Sequence, residues 1–146
     1  MPTAAKLAGA VIFGLIGYVA VMLYLPHLPI DLPPGLLREY AAALGVVIGW
    51  RVTGQLAGRG YVEAIGTGVR ASVSLAIVAL LFFAIQLMIK RSYKMMYDGP
   101  MEAVIGVFAL MLDYSRAFLA VDILAWLLIG GAIGGVMVEW VGKRWR

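Results

Sequence analysis

The segment 123–138, ILAWLLIGGAIGGVMV, constrains the fold more than any other part of the chain. It contains no charge and no proline, so it is too apolar for the surface of a soluble domain. It also carries two overlapping GxxxG patterns, Gly130/Gly134 and Gly131/Gly135. Glycines four residues apart lie on one helix face and allow a second helix backbone to approach closely. The segment therefore predicts a membrane-spanning helix whose glycines face a neighbouring helix rather than lipid.

The composition of the whole chain indicates a bilayer environment. Of the 146 residues, 63% are hydrophobic and 14% are charged, whereas soluble domains carry about a quarter charged residues. No long polar stretch could fold separately, so we predict one transmembrane domain covering 1–146. The net charge is +4, and the cations flank apolar segments, where anionic lipid headgroups rather than nucleic acid are the expected partners. Because the chain has no cysteine, disulfides and thiolate metal sites are excluded.

Three long apolar runs and one shorter run predict four membrane-spanning helices. A helix of about 20 apolar residues crosses the roughly 30 Å hydrocarbon core of a bilayer. The predicted spans cover 7–25, 36–52, 71–89 and 119–140. The second has the shortest uncharged core, and we include it because Ala41, Gly45 and Gly49 form a small-residue strip for packing. The predicted fold class is therefore all-α, an integral membrane four-helix bundle.

The connector 26–35, PHLPIDLPPG, separates the first two predicted spans. Its prolines exclude a helix and predict a stiff, extended connection. It also lacks the small-residue cleavage site of a signal peptide, so we predict that the first span is retained. His27 is the only histidine, and we interpret it as a polar interfacial residue rather than a metal ligand.

An additional short helix, interfacial or re-entrant, is predicted at about 100–116. Its apolar core, 103–112, is too short to cross a bilayer independently. At 100° per residue, Glu102, Asp113 and Arg116 lie on one narrow face. We predict a break near 114–117 before the last span. One long helix that continues through the last span is the competing arrangement.

The distribution of Lys and Arg predicts the orientation in the membrane. Four spans place both termini on one side, and seven of the 12 Lys and Arg residues fall on that side. The remaining five fall on the opposite side. Because cytoplasmic loops carry an excess of cations, both termini are predicted to be cytoplasmic. A fifth span through 103–112 would place the C-terminus outside, which its basic end, Lys143, Arg144 and Arg146, argues against.

The polar residues form no recognisable catalytic pattern. With one His and no Cys, histidine-based triads and His/Cys metal clusters are not available. The eight acidic residues are scattered and show no metal-ligand spacing. We therefore predict no enzymatic activity, no catalytic residue, no cofactor-binding residue and no metal ligand.

Three charged residues at the predicted membrane boundary are candidate functional groups: Asp113, Arg116 and Asp122. An ionisable group at membrane depth is costly and often functional. Asp113 and Arg116 are three residues apart and could pair across one helical turn. An interfacial ion pair is the favoured interpretation. Passage of an ion or oxyanion, and a contact to another helix inside the bundle, are the alternatives.

Arg59, Lys90 and Arg91 are candidate contacts to an anion or a lipid headgroup. Arg59 lies in the glycine-rich turn 53–60, TGQLAGRG, whose backbone amides could hold a phosphate. The turn is not a P-loop, because no Gly-Lys-Ser/Thr follows. Lys90 and Arg91 begin the basic and aromatic segment KRSYKMMYDG, which suits the headgroup level. For Arg59, a cation that only sets the topology is the favoured interpretation, and contact with an anion is the alternative.

Four motifs in order resemble one known family. They are MPTAAKL at the N-terminus, Gly49-Trp50 followed by Gly54 and Ala57-Gly58-Arg59-Gly60, Tyr97-Asp98-Gly99-Pro100 with Glu102-Ala103, and LLIGG leading to an acidic-aromatic pair and a basic tail. Together they resemble the TrgA family of small bacterial inner-membrane proteins linked to tellurite resistance. The resemblance covers essentially the whole chain and implies a four-span inner-membrane protein associated with oxyanion stress. It carries over no catalytic residues.

The sequence leaves three functional hypotheses open. The first is a non-enzymatic membrane protein of the TrgA type that contributes to tellurite tolerance indirectly. The second is an accessory or assembly subunit of a larger membrane complex, which glycine-lined faces and short loops fit equally well. The third is an oligomeric transporter or channel, which ranks last because a tellurite path would need Arg or Lys at mid-membrane. The predicted partners are the bilayer of the bacterial inner membrane and either a homo-oligomer or a larger membrane complex.

Overall fold

The computed structural model describes residues 4–27, 35–94 and 98–145, and these residues are all-α, as predicted. Five helices lie within these ranges: α1 Ala4–Tyr24, α2 Leu37–Ile48, α3 Tyr61–Tyr93, α4 Pro100–Phe118 and α5 Val121–Arg144. A 3-10 turn, Leu25–His27, follows α1. A π-helical turn, Gly49–Thr53, and one turn of α-helix, Gly54–Leu56, continue α2. Most of the proline-rich connector, and also Tyr97 and Arg146, lie outside the described residues.

Among the described residues, three segments are long and apolar enough to cross a membrane: Ala4–His27, Tyr61–Tyr93 and Val121–Arg144. The expectation of a multi-pass membrane protein is therefore confirmed at the level of three candidate spans. The α3 helix extends beyond the predicted span 71–89 at both ends, from Tyr61 to Tyr93. The charges of Glu63 and Arg70 limited the predicted span, but charged residues do not interrupt a helix, and α3 continues through both.

The α1 and α2 helices pack antiparallel with their backbones in close contact. A Cβ atom on Gly45 would collide with the carbonyl oxygen of Phe13, and one on Gly49 with that of Gly9. A Cβ on Gly17 would lie 2.5 Å from the carbonyl oxygen of Ala41. Only residues without a side chain allow this approach, so the predicted small-residue strip of α2 faces α1.

The α3 and α5 helices form a second close antiparallel pair. A Cβ on Gly68 would collide with the carbonyl oxygen of Gly131, and one on Gly135 with that of Ala64. Gly134 instead faces α1, where a Cβ would lie 3.0 Å from a side-chain carbon of Ile12. The two overlapping GxxxG patterns therefore present α5 to two different helices.

Gly130 lies apart from these contacts. The three atoms nearest to a Cβ on it would be side-chain atoms of Ile16 and Trp126, the closest at 3.8 Å. The indole nitrogen of Trp126 donates a hydrogen bond to the carbonyl oxygen of Ile16 at 3.1 Å. This bond joins the second turn of α5 to the middle of α1.

Apolar side chains form two clusters. The larger one joins α1, α3 and α5 through seven buried residues: Phe13, Ile16, Ala20, Tyr24, Ala71, Ile123 and Leu127. The smaller one lies where α4 packs on the C-terminal part of α3, through Ala84, Val107 and Leu110. The α4 helix is therefore attached mainly to α3.

The α4 helix is separate from α5, and the break lies later than predicted. It falls between Phe118 and Val121, because Ala120 is extended, with φ −57° and ψ 134°. No glycine or proline marks this site. The ring of Phe118 packs on that of Tyr24, with centroids 5.4 Å apart, and this tertiary contact holds the end of α4 against α1.

The α4 helix has three distinct faces. Val107 and Leu110 are buried against α3. Glu102, Asp113 and Arg116, the predicted polar face, are all exposed. A third face exposes the large apolar side chains of Met101, Ile105, Phe108 and Leu112. This arrangement is that of an amphipathic helix fixed to the bundle along one side.

Two alanine substitutions in α5 test the close helix contacts. Gly135→Ala adds a methyl group against the backbone of α3, and overpacking of this kind costs about 1–3 kcal/mol. We expect it to lower the melting temperature and the folded yield in mild detergent. Gly130→Ala adds the same methyl group where there is room, so we expect no loss of stability. Equal melting temperatures for the two variants would show that the close contact is wrong.

Candidate functional site

Glu139, near the C-terminal end of α5, is the most enclosed charged group among the described residues. Its side chain is only 1% exposed. Burial of a carboxylate costs several kcal/mol unless its oxygens are paired. The partners of this carboxylate therefore determine what the site can do.

Both carboxylate oxygens of Glu139 accept hydrogen bonds from the loop that precedes α3. The backbone N–H of Gly58 donates to Oε2 at 2.5 Å, and the backbone N–H of Gly60 donates to Oε1 at 2.9 Å. These glycines have φ values of +100° and +120°, a backbone conformation that other residues rarely adopt. The loop thus forms a small anion-binding concavity of backbone amides.

Lys143 and Tyr61 complete this site, which we call the Glu139 clamp: Gly58, Gly60, Tyr61, Glu139 and Lys143. The Lys143 ammonium lies 3.5 Å from Oε1 of Glu139, one helical turn along α5. The same ammonium lies 4.1 Å from the ring centroid of Tyr61, the first residue of α3. This distance is suitable for a cation–π contact. The clamp therefore joins the loop, the start of α3 and the end of α5.

The π-helical turn lies next to the clamp. The hydroxyl of Thr53 donates to the carbonyl oxygen of Gly49 at 2.6 Å, and this side chain is buried. A cavity of about 10 Å³ separates Thr53 from Glu139 and Gly135. That volume is at the lower limit for one water molecule. There is no room for a substrate beside the carboxylate, so the geometry gives Glu139 a structural role.

The structure changes the interpretation of the glycine-rich turn. From the sequence, its backbone amides were one candidate site for an external phosphate beside Arg59. Two of them, at Gly58 and Gly60, bind the chain's own carboxylate instead. The Arg59 side chain is exposed at the surface of this loop.

The other candidate residues lie apart from the clamp. Lys90 is exposed and Arg91 half-buried near the C-terminal end of α3, whereas Tyr61 of the clamp begins this helix. Asp113 and Arg116 on α4 and Asp122 at the start of α5 are exposed. Within the described residues the single ion pair is Glu139–Lys143, so Asp113 and Arg116 do not pair there.

A larger cleft lies near the C-terminal end of α3. It has a volume of about 470 Å³, and Leu80, Phe83 and Leu87 of α3 line much of it. Tyr24 of α1, Tyr40 of α2 and Tyr114 of α4 also contribute to its lining. The hydroxyl of Tyr24 donates to the carbonyl oxygen of Tyr114 at 3.3 Å, which joins α1 to α4 at the cleft.

Glu139 is not among the site residues predicted from the sequence. Two features of the sequence could have indicated it. Lys143 follows Glu139 by four residues, the spacing of an ion pair on one helix face. An acidic residue inside a long apolar helix also needs partners, and the Gly-Arg-Gly turn is a source of free backbone amides. That these two segments meet is visible only in the fold.

Comparison with protein-family models, with curated proteins and with solved structures gave no match. The fold and the site therefore define a class: a small, all-α, multi-pass membrane protein with three candidate spans. These comparisons do not test the resemblance to the TrgA family, which stays a prediction.

Replacing Glu139 tests the clamp. Glu139→Ala removes the acceptor of the N–H groups of Gly58 and Gly60, and a hydrogen bond to a charged group contributes roughly 1.5–3 kcal/mol. We expect a lower melting temperature and faster tryptic cleavage after Arg59, because the loop loses its anchor. Glu139→Gln keeps the shape and one acceptor oxygen, so its effect should be smaller.

Glu63→Ala is the matched control, because Glu63 is an exposed carboxylate in the first turn of α3. It should leave both the melting temperature and the cleavage rate unchanged. If Glu139→Ala behaves in the same way as this control, the clamp contributes nothing to stability.

Proposed function

We propose that this chain is a non-enzymatic, four-span protein of the bacterial inner membrane, of the TrgA type. In this proposal it contributes to tellurite tolerance indirectly, without moving the anion across the membrane. The observation that supports it most is the Glu139 clamp. The one buried charge among the described residues is used inside the fold, and its amide partners are not free to bind an oxyanion.

The polarity of the interior supports a role other than transport. Within the described residues, the buried polar or charged side chains are those of Thr53, Ser72 and Glu139. None of them is a cation. A path for an oxyanion would need positive charge or a chain of hydrogen-bond donors across the bundle. An indirect contribution to tellurite tolerance, through the membrane or through another protein, fits this interior better than transport of the oxyanion.

The proposed fourth span is α2 together with its continuation to Leu56. Its 12, 5 and 3 residues add to a helical path of 20 residues, or about 30 Å. The path runs beside most of α1, since Ala41 contacts Gly17 and Gly54 contacts Lys6. Four spans would place both termini on one side. The contact between Ala5 and Gly142 supports this arrangement, because it brings the start of α1 to the end of α5.

We place α4 at the membrane–water interface on the outer, non-cytoplasmic side of the inner membrane. Its exposed polar face, Glu102, Asp113 and Arg116, would meet water or headgroups. Its exposed apolar face would enter the acyl region. An interfacial helix of this kind adds no fifth crossing, so the C-terminus stays on the cytoplasmic side with the N-terminus.

Deletion of the gene in the source bacterium tests the proposed function. We expect the inhibitory concentration of tellurite to be severalfold lower for the deletion strain than for the wild type. Wild-type protein and Gly130→Ala should restore growth, whereas Gly135→Leu should not, because it separates α5 from α3. The inhibitory concentration of an unrelated oxidant serves as the control for general membrane damage. If the inhibitory concentration of tellurite is the same in the deletion strain as in the wild type, the proposal is excluded.

A second candidate function, an accessory subunit of a larger complex, is favoured by the exposed apolar face of α4. Met101, Ile105 and Phe108 expose more than half of their surface along this face. If a partner subunit covers this face, the tagged protein should purify in mild detergent at a mass above any homo-oligomer. Phe108→Gln should then release it from the complex, and Glu102→Gln, on the polar face, should not. A homo-oligomer that both substitutions leave unchanged would exclude this candidate.

A further inference from the structure

The cleft near the C-terminal end of α3 has the size of a binding site. Its volume of about 470 Å³ falls within the roughly 300–1,000 Å³ of small-molecule sites. Residues from α1, α2, α3 and α4 line it, so its shape is fixed by several elements. It is distinct from the Glu139 clamp, which lies beside the first residue of α3.

The apolar part of the cleft matches a hydrocarbon chain. Leu80, Phe83 and Leu87 present apolar side chains from one face of α3, a helix that is long and apolar enough to cross a membrane. Water gains few hydrogen bonds in a cleft with such a lining. The surrounding bilayer supplies acyl chains at high concentration, so an acyl chain is the occupant that this surface favours.

The polar part of the cleft carries one positive charge and no negative charge. Lys90 lines it, and none of the described lining residues is acidic. Lys90 has no carboxylate within 4.0 Å among the described residues, where Glu139–Lys143 is the single ion pair. Gln86, which carries an amide, and Tyr40, which carries a hydroxyl, line the same cleft. A lysine with neutral donors nearby is suited to a phosphate group.

The charge also distinguishes between lipid classes. A zwitterionic phospholipid brings a quaternary or primary ammonium with its phosphate, and the described lining offers no carboxylate to pair with it. A lipid with a net negative charge is therefore favoured over a zwitterionic one.

We propose that this cleft binds one anionic phospholipid of the surrounding bilayer. One acyl chain lies against Leu80, Phe83 and Leu87, and the phosphate lies at Lys90. The bound lipid fills the space between the start of α2 and α4. This proposal does not depend on the proposed role in tellurite tolerance, because it rests on the cleft alone.

Native mass spectrometry of the full chain tests the charge preference. The protein is extracted from nanodiscs that contain equal amounts of phosphatidylglycerol and phosphatidylcholine with matched acyl chains. We expect one retained phosphatidylglycerol per chain, preferred about fivefold, the effect of one cation near an anionic surface. Lys90→Gln should abolish the preference, and Lys90→Arg should keep it. Lys94→Gln removes an exposed charge outside the cleft lining and should also keep the preference.

A second variant tests the acyl part. Leu80→Trp fills the cleft, so retention of both lipids should fall while Lys90 remains in place. Helix content and elution volume show whether this variant folds, and Leu87→Phe provides a smaller obstruction if it does not.

Several results would overturn the proposal. The first is that the wild type retains the two lipids equally. The second is that Lys90→Gln prefers phosphatidylglycerol as strongly as the wild type does. The third is that neither cleft-filling variant changes the amount of lipid retained. A bound quinone, peptide or second copy of this chain in place of the lipid would also overturn it.

Discussion

Close contact between helix backbones is the constraint on which the rest of this structure depends. In a bilayer, apolar side chains gain little from leaving lipid, so helices associate where small residues let their backbones meet. Two such seams exist here, one at Gly45 and Gly49 of α2 and one at Gly131 and Gly135 of α5. The first holds α2 against α1, and the second holds α3 against α5. Gly134 adds a contact from α5 to α1, which makes one bundle of the two pairs.

The Glu139 clamp depends on this arrangement and stabilises one end of it. Because α5 lies close against α3, the Glu139 carboxylate reaches the loop that precedes α3. The desolvation cost of this carboxylate is offset by two backbone amides and by Lys143. The site that the sequence suggested as an anion-binding loop is therefore occupied by an anion that the chain itself supplies.

The two ends of the bundle consequently have different chemistry. At the clamp, the buried charge is paired and the remaining space is about 10 Å³. At the cleft, about 470 Å³ of largely apolar space lies beside Lys90, which has no partner among the described residues. Recognition of other molecules is therefore more suited to the cleft and to the exposed face of α4 than to the interior of the bundle.

Some features of this protein follow from the sequence by itself. The long apolar runs predict helices and membrane spans, because span length and hydropathy are properties of neighbouring residues. The small-residue spacing of α2 and the polar face of α4 also follow from helical periodicity. Pro100 occupies the first turn of α4, and Glu102 accepts a hydrogen bond from the N–H of Asp98 at 2.8 Å. The start of this helix is therefore also determined by residues that are close in the sequence.

Other features were decided only by the tertiary structure. The end of α4 near Phe118 has no glycine or proline, and the ring of Phe118 packs there against Tyr24 of α1. The backbone amides that bind Glu139 lie about 80 residues away in the sequence. The cleft exists only because four helices surround it. These features depend on contacts between distant segments, and local sequence patterns carry little information about which helix faces meet.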